Sequence, residues 1–335
     1  MDNTKDMAFY EKAKGKKCKL IDMERNKIPV AFCFDDNLLM QAGVCLTSLL
    51  ENANEDTFYD IFILHDEASI FPSTGYLDKL KLKYSNFEIT YRRVENIFDS
   101  AFQIRGITQA TYYRLFIPLI IQEYDKIMYH DVDVIFRSDL CEIFLLTDVS
   151  NYYVAGVLSP VSQDRRLKAY VETLKLDPNE YISAGNIIIN SAKIREDNIM
   201  DRFKKEVLSS KYEFQDMDII NIICKGKIKK MPPLFCGTIE IFDLAVSKKQ
   251  QSLFSSDELT DALEFGIVHF NGPKPWNTWC PNLDIWWEYY RKSIYYEPVY
   301  YFNFFHSKLD EYDQLSLWKR IKILLRYFKI GKISK

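Results

Sequence analysis

From residue 28 to residue 130, short apolar runs alternate with stretches of helical spacing, a rhythm few chain topologies accommodate. Residues 28–34 (IPVAFCF) read as a buried strand halted by Asp35, Asp36 and Asn37. Residues 38–51 carry Leu39, Gly43, Leu46 and Leu50 at helical intervals. Strands over 59–64 and 87–94 flank a helix over 77–84, and a helix over 111–121 leads to a strand over 126–130. Beyond residue 150 the pattern is less clean, with strands over 153–158, 187–190 and 267–270 and helices over 165–174 and 217–223. Such alternation predicts an α/β fold with a largely parallel sheet and ligands at the carboxyl ends of its strands.

No repeat or low-complexity linker interrupts the chain. We therefore expect a polar leader over 1–27, one catalytic unit over 28–280 and an aromatic and basic helical region over 281–335. A net charge of −3 argues against nucleic acid as a partner, since phosphate binding calls for a basic excess. The charge is uneven. Lys319, Arg320, Lys322, Arg326, Lys329, Lys332 and Lys335 share the last 17 residues with no acidic side chain. Leu317, Ile321, Leu324, Leu325 and Phe328 fall near helical spacing among them, led by Trp318. This pattern fits a helix lying on an anionic membrane surface, with docking on the acidic body as the alternative. The seven cysteines are scattered and form no CxxC pair, and the N-terminus has no apolar signal core. A cytoplasmic protein, peripheral at the inner leaflet, is the expectation. The aromatics between 276 and 305 either stack on the rings of a ligand or form core.

The chain has no GxGxxG, no GxxxxGK[ST], no GxSxG and no HExxH, and only four histidines. Its site is therefore built from carboxylates with one or two histidines. YHDVDVIF ends an apolar run with Asp131 and Asp133 on one face, their Cα atoms roughly 6–7 Å apart. Hard oxygen ligands of this kind suit Mn²⁺ or Mg²⁺. Aspartate fills 27 of 335 positions, so about two Asp-x-Asp triplets arise by chance, and two occur. The triplet alone carries no statistical force. IVHFNGPKPW delivers His269 at the end of another apolar run, then Gly272 and a lysine, Lys274, between two prolines. A mixed His/Asp site would accept Mn²⁺, and Lys274 could meet a phosphate as a point charge.

Six segments, taken in order, resemble glycosyltransferase family 8, the retaining group of bacterial lipopolysaccharide galactosyl- and glucosyltransferases, with glycogenin more distant. They are IPVAFCFDDN, TYYRLFIP, YDKIMYHDVDVIF, YISAGNIIIN, QDMDIIN and HFNGPKPW. The resemblance implies a GT-A fold, with a Rossmann-like, mixed, mostly parallel central sheet flanked by helices, and a UDP-sugar donor, UDP-glucose or UDP-galactose. It puts Asp35, Asp36 and Asn37 at the nucleoside and Arg114 toward the donor. Asp131, Asp133 and His269 become the metal ligands, with Val132 between the first two. Gly272 and Lys274 meet the diphosphate, while Ser183, Ala184, Gly185 and Met217 surround the donor sugar. Asp216 and Asp218 become the catalytic carboxylates.

Three positions depart from the family pattern. Ser183 stands where an asparagine is usual, Met217 where a glutamine is usual, and His130 where an apolar residue is usual. The first two remove amide hydrogen bonds and bear on which hydroxyl epimer is chosen. The resemblance implies hexose transfer to a glycan acceptor of lipopolysaccharide, capsule or another surface glycoconjugate. Two rival classes remain: a nucleotide-sugar binder without turnover, and a metal-dependent UDP-sugar hydrolase.

Overall fold

The computed structural model describes residues 26–94, 110–209, 211–247 and 253–331. The leader up to residue 25 and the tail residues Lys332 and Lys335 lie outside these, as do the side chains of Arg326, Phe328 and Lys329.

Nine strands are described: β1 Asn26–Cys33, β2 Thr57–His65, β3 Phe87–Arg93, β4 Lys126–His130, β5 Val134–Ile135, β6 Val154–Leu158, β7 Ile182–Asn190, β8 Ile228–Met231 and β9 Val268–His269. Seven form one sheet in the order β3-β2-β1-β4-β7-β6-β8. β1, β2, β3 and β4 pair in parallel, as do β6 and β8, while β7 runs antiparallel to both its neighbours. This is the mixed, mostly parallel sheet that the resemblance implies. β1, β2 and β7 are almost wholly buried, as strands covered on both faces should be. Only two residues of β9 make strand pairs, and they join β5 in a separate two-stranded sheet.

The longer helices are α1 Leu39–Glu51, α2 Arg165–Thr173, α3 Ile199–Ser209, α4 Gln215–Ile223, α5 Ile239–Ser247, α6 Ser256–Phe265, α7 Leu283–Lys292, α8 Pro298–Asp313 and α9 Leu317–Gly331. Two expected helices take another form. The stretch over 77–84 is a 3₁₀ segment, Leu77–Leu82. The stretch over 111–121 breaks into Ala110–Tyr113, a 3₁₀ turn Arg114–Phe116, and Ile117–Ile120. Pro118 has no N–H to continue the ladder, and the turn presents the buried Arg114 to the sheet. β7 begins five residues earlier than its apolar run, because Ser183, Ala184, Gly185 and Asn186 hide a strand in small and polar residues.

A second core adjoins the main one. Trp286 and Trp287 of α7 are fully buried against Val44 of α1, Ile135 of β5 and Val268 of β9, with Phe304 of α8 beside them. These aromatics are core rather than sugar platforms. Trp287 donates its indole N–H to the Pro275 carbonyl at 3.0 Å, which anchors the loop after β9. Arg137 caps the last turn of α6, donating to the carbonyls of Ala262, Leu263 and Gly266 at 2.6–2.8 Å.

Candidate active site

The carboxyl end of β4 faces a cavity of about 690 Å³. Three pairings hold the carboxylates there. The Asp131 N–H donates to the Gly185 carbonyl at 2.8 Å, the Phe270 N–H donates to the Asp133 carbonyl at 2.9 Å, and Val134 pairs with His269 across the small sheet. Asp131, Asp133 and His269 thus converge from segments 136 or more residues apart in sequence, and their ligand atoms all lie within 4.8 Å of one another. His269 Nε2 lies 3.6 Å from Asp131 Oδ2 and 3.3 Å from Asp133 Oδ1. Asp133 Oδ1 is buried and accepts no well-formed hydrogen bond. Two carboxylates, one imidazole and a buried oxygen short of donors fit a divalent cation.

Gly185 is required by closeness. A Cβ there would meet His269 Cε1 at 2.3 Å and Asp131 Oδ2 at 2.6 Å. Arg114, 7% exposed, is the positive centre of the site. It reaches Asp131 Oδ1 at 2.9 Å and Asp216 Oδ2 at 3.1 Å, donates to the carbonyls of Thr111 and Ala184 at 3.0 Å, and lies 4.4 Å over the Tyr129 ring. Burial works against its charge, but Asp131 and Asp216 outweigh that and raise its pKa. Burial also works against the Asp133 carboxylate, yet His269 and Lys274 hold it below its ordinary range. The same pairing overcomes burial at His269 and raises its pKa well above the ordinary value.

Asp216 lines the cavity from the first turn of α4, accepting from the Thr111 hydroxyl at 2.9 Å. The residue before it, Gln215, adopts φ 40, a left-handed conformation unusual for a side-chain-bearing residue, which sets the direction in which Asp216 leaves the helix. Burial pushes the Asp216 carboxyl up to about 6, with Arg114 opposing and Asp131 adding. A carboxyl with a raised folded pKa keeps its proton longer in the folded state. Its stabilising contribution is therefore full below the ordinary value of 3.8 and is lost as the pH rises through about 6. In urea unfolding with chelator present, wild type should lose up to about 3 kcal/mol between pH 4 and pH 7 that Asp216→Asn does not. Parallel profiles for the two proteins would contradict this.

Ser183, Ala184, Gly185 and Met217 also line the cavity. Asp218 does not. Its carboxylate accepts from the hydroxyls of Tyr170 and Tyr181 at 2.6 and 2.5 Å and from the Phe214 N–H at 2.9 Å, so it braces the start of α4. Asp35, Asp36, Asn37, Val132, Gly272 and Lys274 lie outside this lining as well. Asp35 caps the Asn37 N–H at 3.0 Å, and Asp36 accepts from the N–H groups of Ile70 and Phe71. Val132 is buried, and Gly272 packs against Ile239. Lys274 donates to Asp133 Oδ2 at 2.5 Å and to the Phe270 carbonyl at 2.6 Å, which keeps it beside the cluster. Sequence reasoning missed Thr111, Tyr129, whose hydroxyl donates to Asp131 at 2.5 Å, and Asn186. Tyr129 sits within an apolar strand and Asn186 within the small, polar start of β7, and nothing local marks either.

The profile of glycosyltransferase family 8 matches residues 29–280. The chain belongs to glycosyltransferase family 8. Over 184 residues it is 35% identical to a Haemophilus influenzae protein named provisionally as a glycosyltransferase. That alignment covers 53% of this chain and 52% of the relative, so the chain spans about half its length. It is 22% identical over 293 residues to the lipopolysaccharide 1,2-glucosyltransferase of Escherichia coli, covering 83% of this chain and 79% of that one. Among solved structures, the galactosyltransferase LgtC in complex with donor and acceptor sugar analogues superposes with a TM-score of 0.67 at 23% identity, covering 82% of this chain and 99% of that one. This family 8 chain is a glycosyltransferase with the GT-A fold. Enzymes of this family and fold generally use a divalent metal and a nucleotide sugar.

Proposed function

We propose that the chain transfers glucose or galactose, with retention, from its UDP conjugate to a glycan acceptor of lipopolysaccharide, capsule or another surface glycoconjugate, using Mn²⁺ or Mg²⁺. The observation that carries this reading is the Asp131–Asp133–His269 cluster at the edge of the cavity that Asp216 lines. When bound, a divalent cation supplies Lewis-acid neutralisation of the departing diphosphate. Asp131, Asp133 and His269 would hold it. Lys274, tethered to Asp133, keeps a further proton donor for phosphate oxygen. Arg114 fixes Asp131 and Asp216 in place, so neither carboxylate must reorganise as charge develops. Asp216 sets negative charge on the cavity wall, where it steadies an oxocarbenium-like sugar while the acceptor attacks from the same face. Ser183 and Met217 line the cavity where amide side chains would otherwise read the sugar hydroxyls.

UDP release measured across UDP-glucose, UDP-galactose and UDP-N-acetylhexosamines, with Mn²⁺ and a glycan acceptor, tests the reading. One hexose donor should dominate, and EDTA should stop release. Release that persists without acceptor at the same rate would favour hydrolysis, and binding without turnover would favour the non-catalytic class.

The C-terminal helix supports a peripheral place at the cytoplasmic face of a membrane. Leu317 and Trp318 are 71% and 81% exposed, and Leu324 and Leu325 are exposed beside Lys319 and Lys322. Among the described residues no helix is long and apolar enough to cross a membrane. Partitioning onto anionic phosphatidylglycerol vesicles should fall at least about tenfold for Lys319→Glu with Lys322→Glu, read by co-sedimentation. Equal partitioning of both proteins would assign the helix to another surface.

A further inference from the structure

Two buried polar side chains remain unexplained by the cation cluster, His130 and Asn186, each 0% exposed. They face each other across the antiparallel pair β4 and β7. The His130 ring sits among Phe32, Phe136 and Phe235, with centroids 5.0–6.3 Å away, and its Nε2 makes no hydrogen bond. The Asn186 amide bridges two imidazoles. Its Oδ1 is placed 2.6 Å from His130 Nδ1, and its Nδ2 is placed 3.2 Å from His269 Nδ1 and 3.1 Å from Cys236 Sγ. Apolar residues at both positions would fill the same core without desolvating an amide and an imidazole. The pair therefore has something to hold, and the group it holds is a member of the cation cluster.

We propose that Asn186, itself held by His130, is a positioning residue that fixes the ring plane and tautomer of His269 for the cation. The inference rests on reading Asp131, Asp133 and His269 as a cation site. An imidazole ligates through one bare nitrogen and carries its proton on the other, which needs an acceptor. His269 Nε2 faces the two carboxylates, so a cation among them would take Nε2 and leave the proton on Nδ1. The two ends of an amide have nearly the same shape, and the hydrogen-bond network decides which way it points. Turned end for end from that placement, with Oδ1 toward His269, the amide carbonyl accepts from the His269 Nδ1–H. The Asn186 N–H then donates to His130 Nδ1, and the His130 proton sits on Nε2 among the phenylalanine rings. Cys236 Sγ, 3.7 Å from His269 Nδ1, is a weaker and more distant acceptor. His130 thus supplies the hydrogen bond that holds the far end of the amide in place.

The test is Mn²⁺ affinity of the protein with UDP, read by electron paramagnetic resonance titration, alongside thermal unfolding. Asn186→Leu should weaken Mn²⁺ about 10–100-fold and lower the melting temperature, because His130 is left buried without its partner. The double variant Asn186→Leu/His130→Leu removes both polar groups, so the melting temperature should recover while Mn²⁺ affinity stays low. Asn186→Asp keeps an acceptor facing His269 and should bind Mn²⁺ close to wild type. Wild-type affinity in Asn186→Leu, or recovery of affinity in the double variant, overturns the proposal. Asp131→Ala separates it from the reading beneath: if that variant binds Mn²⁺ as wild type does, the cation site itself is elsewhere.

Discussion

Arg114→Met is expected to lower the unfolding free energy of the cation-free protein by about 3–5 kcal/mol. Methionine keeps much of the arginine's length and packs against Tyr129, so lost volume is a minor part of the effect. The main part is electrostatic. Arg114 is the cation that reaches both Asp131 and Asp216, at 2.9 and 3.1 Å, and Asp216 is buried. Removing one partner of a buried ionic group strands the other charges, whereas removing both sides is far milder. Arg114→Met/Asp216→Asn should therefore recover a substantial part of the loss in chemical denaturation. If the double variant is as unstable as the sum of the two single changes, the coupling drawn from these distances is wrong. Sugar transfer should not recover in the double variant, because both groups that hold the cavity wall are gone.

Gly185→Ala should cut sugar transfer by about 100-fold or more while the chain still folds. The added carbon has no room, with His269 Cε1 at 2.3 Å and Asp131 Oδ2 at 2.6 Å. Both neighbours are side chains at a cavity rather than backbone, so they can move, and overpacking of this kind costs about 1–3 kcal/mol. They move away from the geometry that a shared cation needs. The expected signature is a melting temperature only modestly lowered, with Mn²⁺ affinity and transfer falling together. Near-normal transfer in Gly185→Ala would show that Asp131 and His269 need not stand where they do.

Much of this was legible in the chain. Strand β4 occupies the residues its apolar pattern marked, and β1, β2 and β3 agree with theirs to within a few residues. Regular elements with a buried face write their period into the sequence, and the central strands are buried. The broken helix around Arg114 was not legible, since its residues suit a continuous helix until the arginine must turn toward two carboxylates. The first half of β7 carries no strand signal, because closeness to His269 demands a glycine and small neighbours where a strand usually shows branched residues. The lysine-bearing strand β8, at the end of the sheet, gave no apolar signal.

At the site, the chemical kinds of residue are already written in the chain, as is, through six ordered segments, the family to which it belongs. What each residue touches comes from the fold. Asp216 and Asp218 are two residues apart in one helix and look alike in sequence. One lines the cavity beside Arg114, and the other is consumed by two tyrosine hydroxyls and a backbone N–H. The physical reason is that a carboxylate's role is set by what surrounds it, and those partners come from Arg114, Tyr170 and Tyr181, far away in the chain. The pairing of His130 with Asn186 and His269 is of the same kind. Burial and hydrogen bonding act through space, and only the folded sheet brings β4, β7 and β9 within their reach.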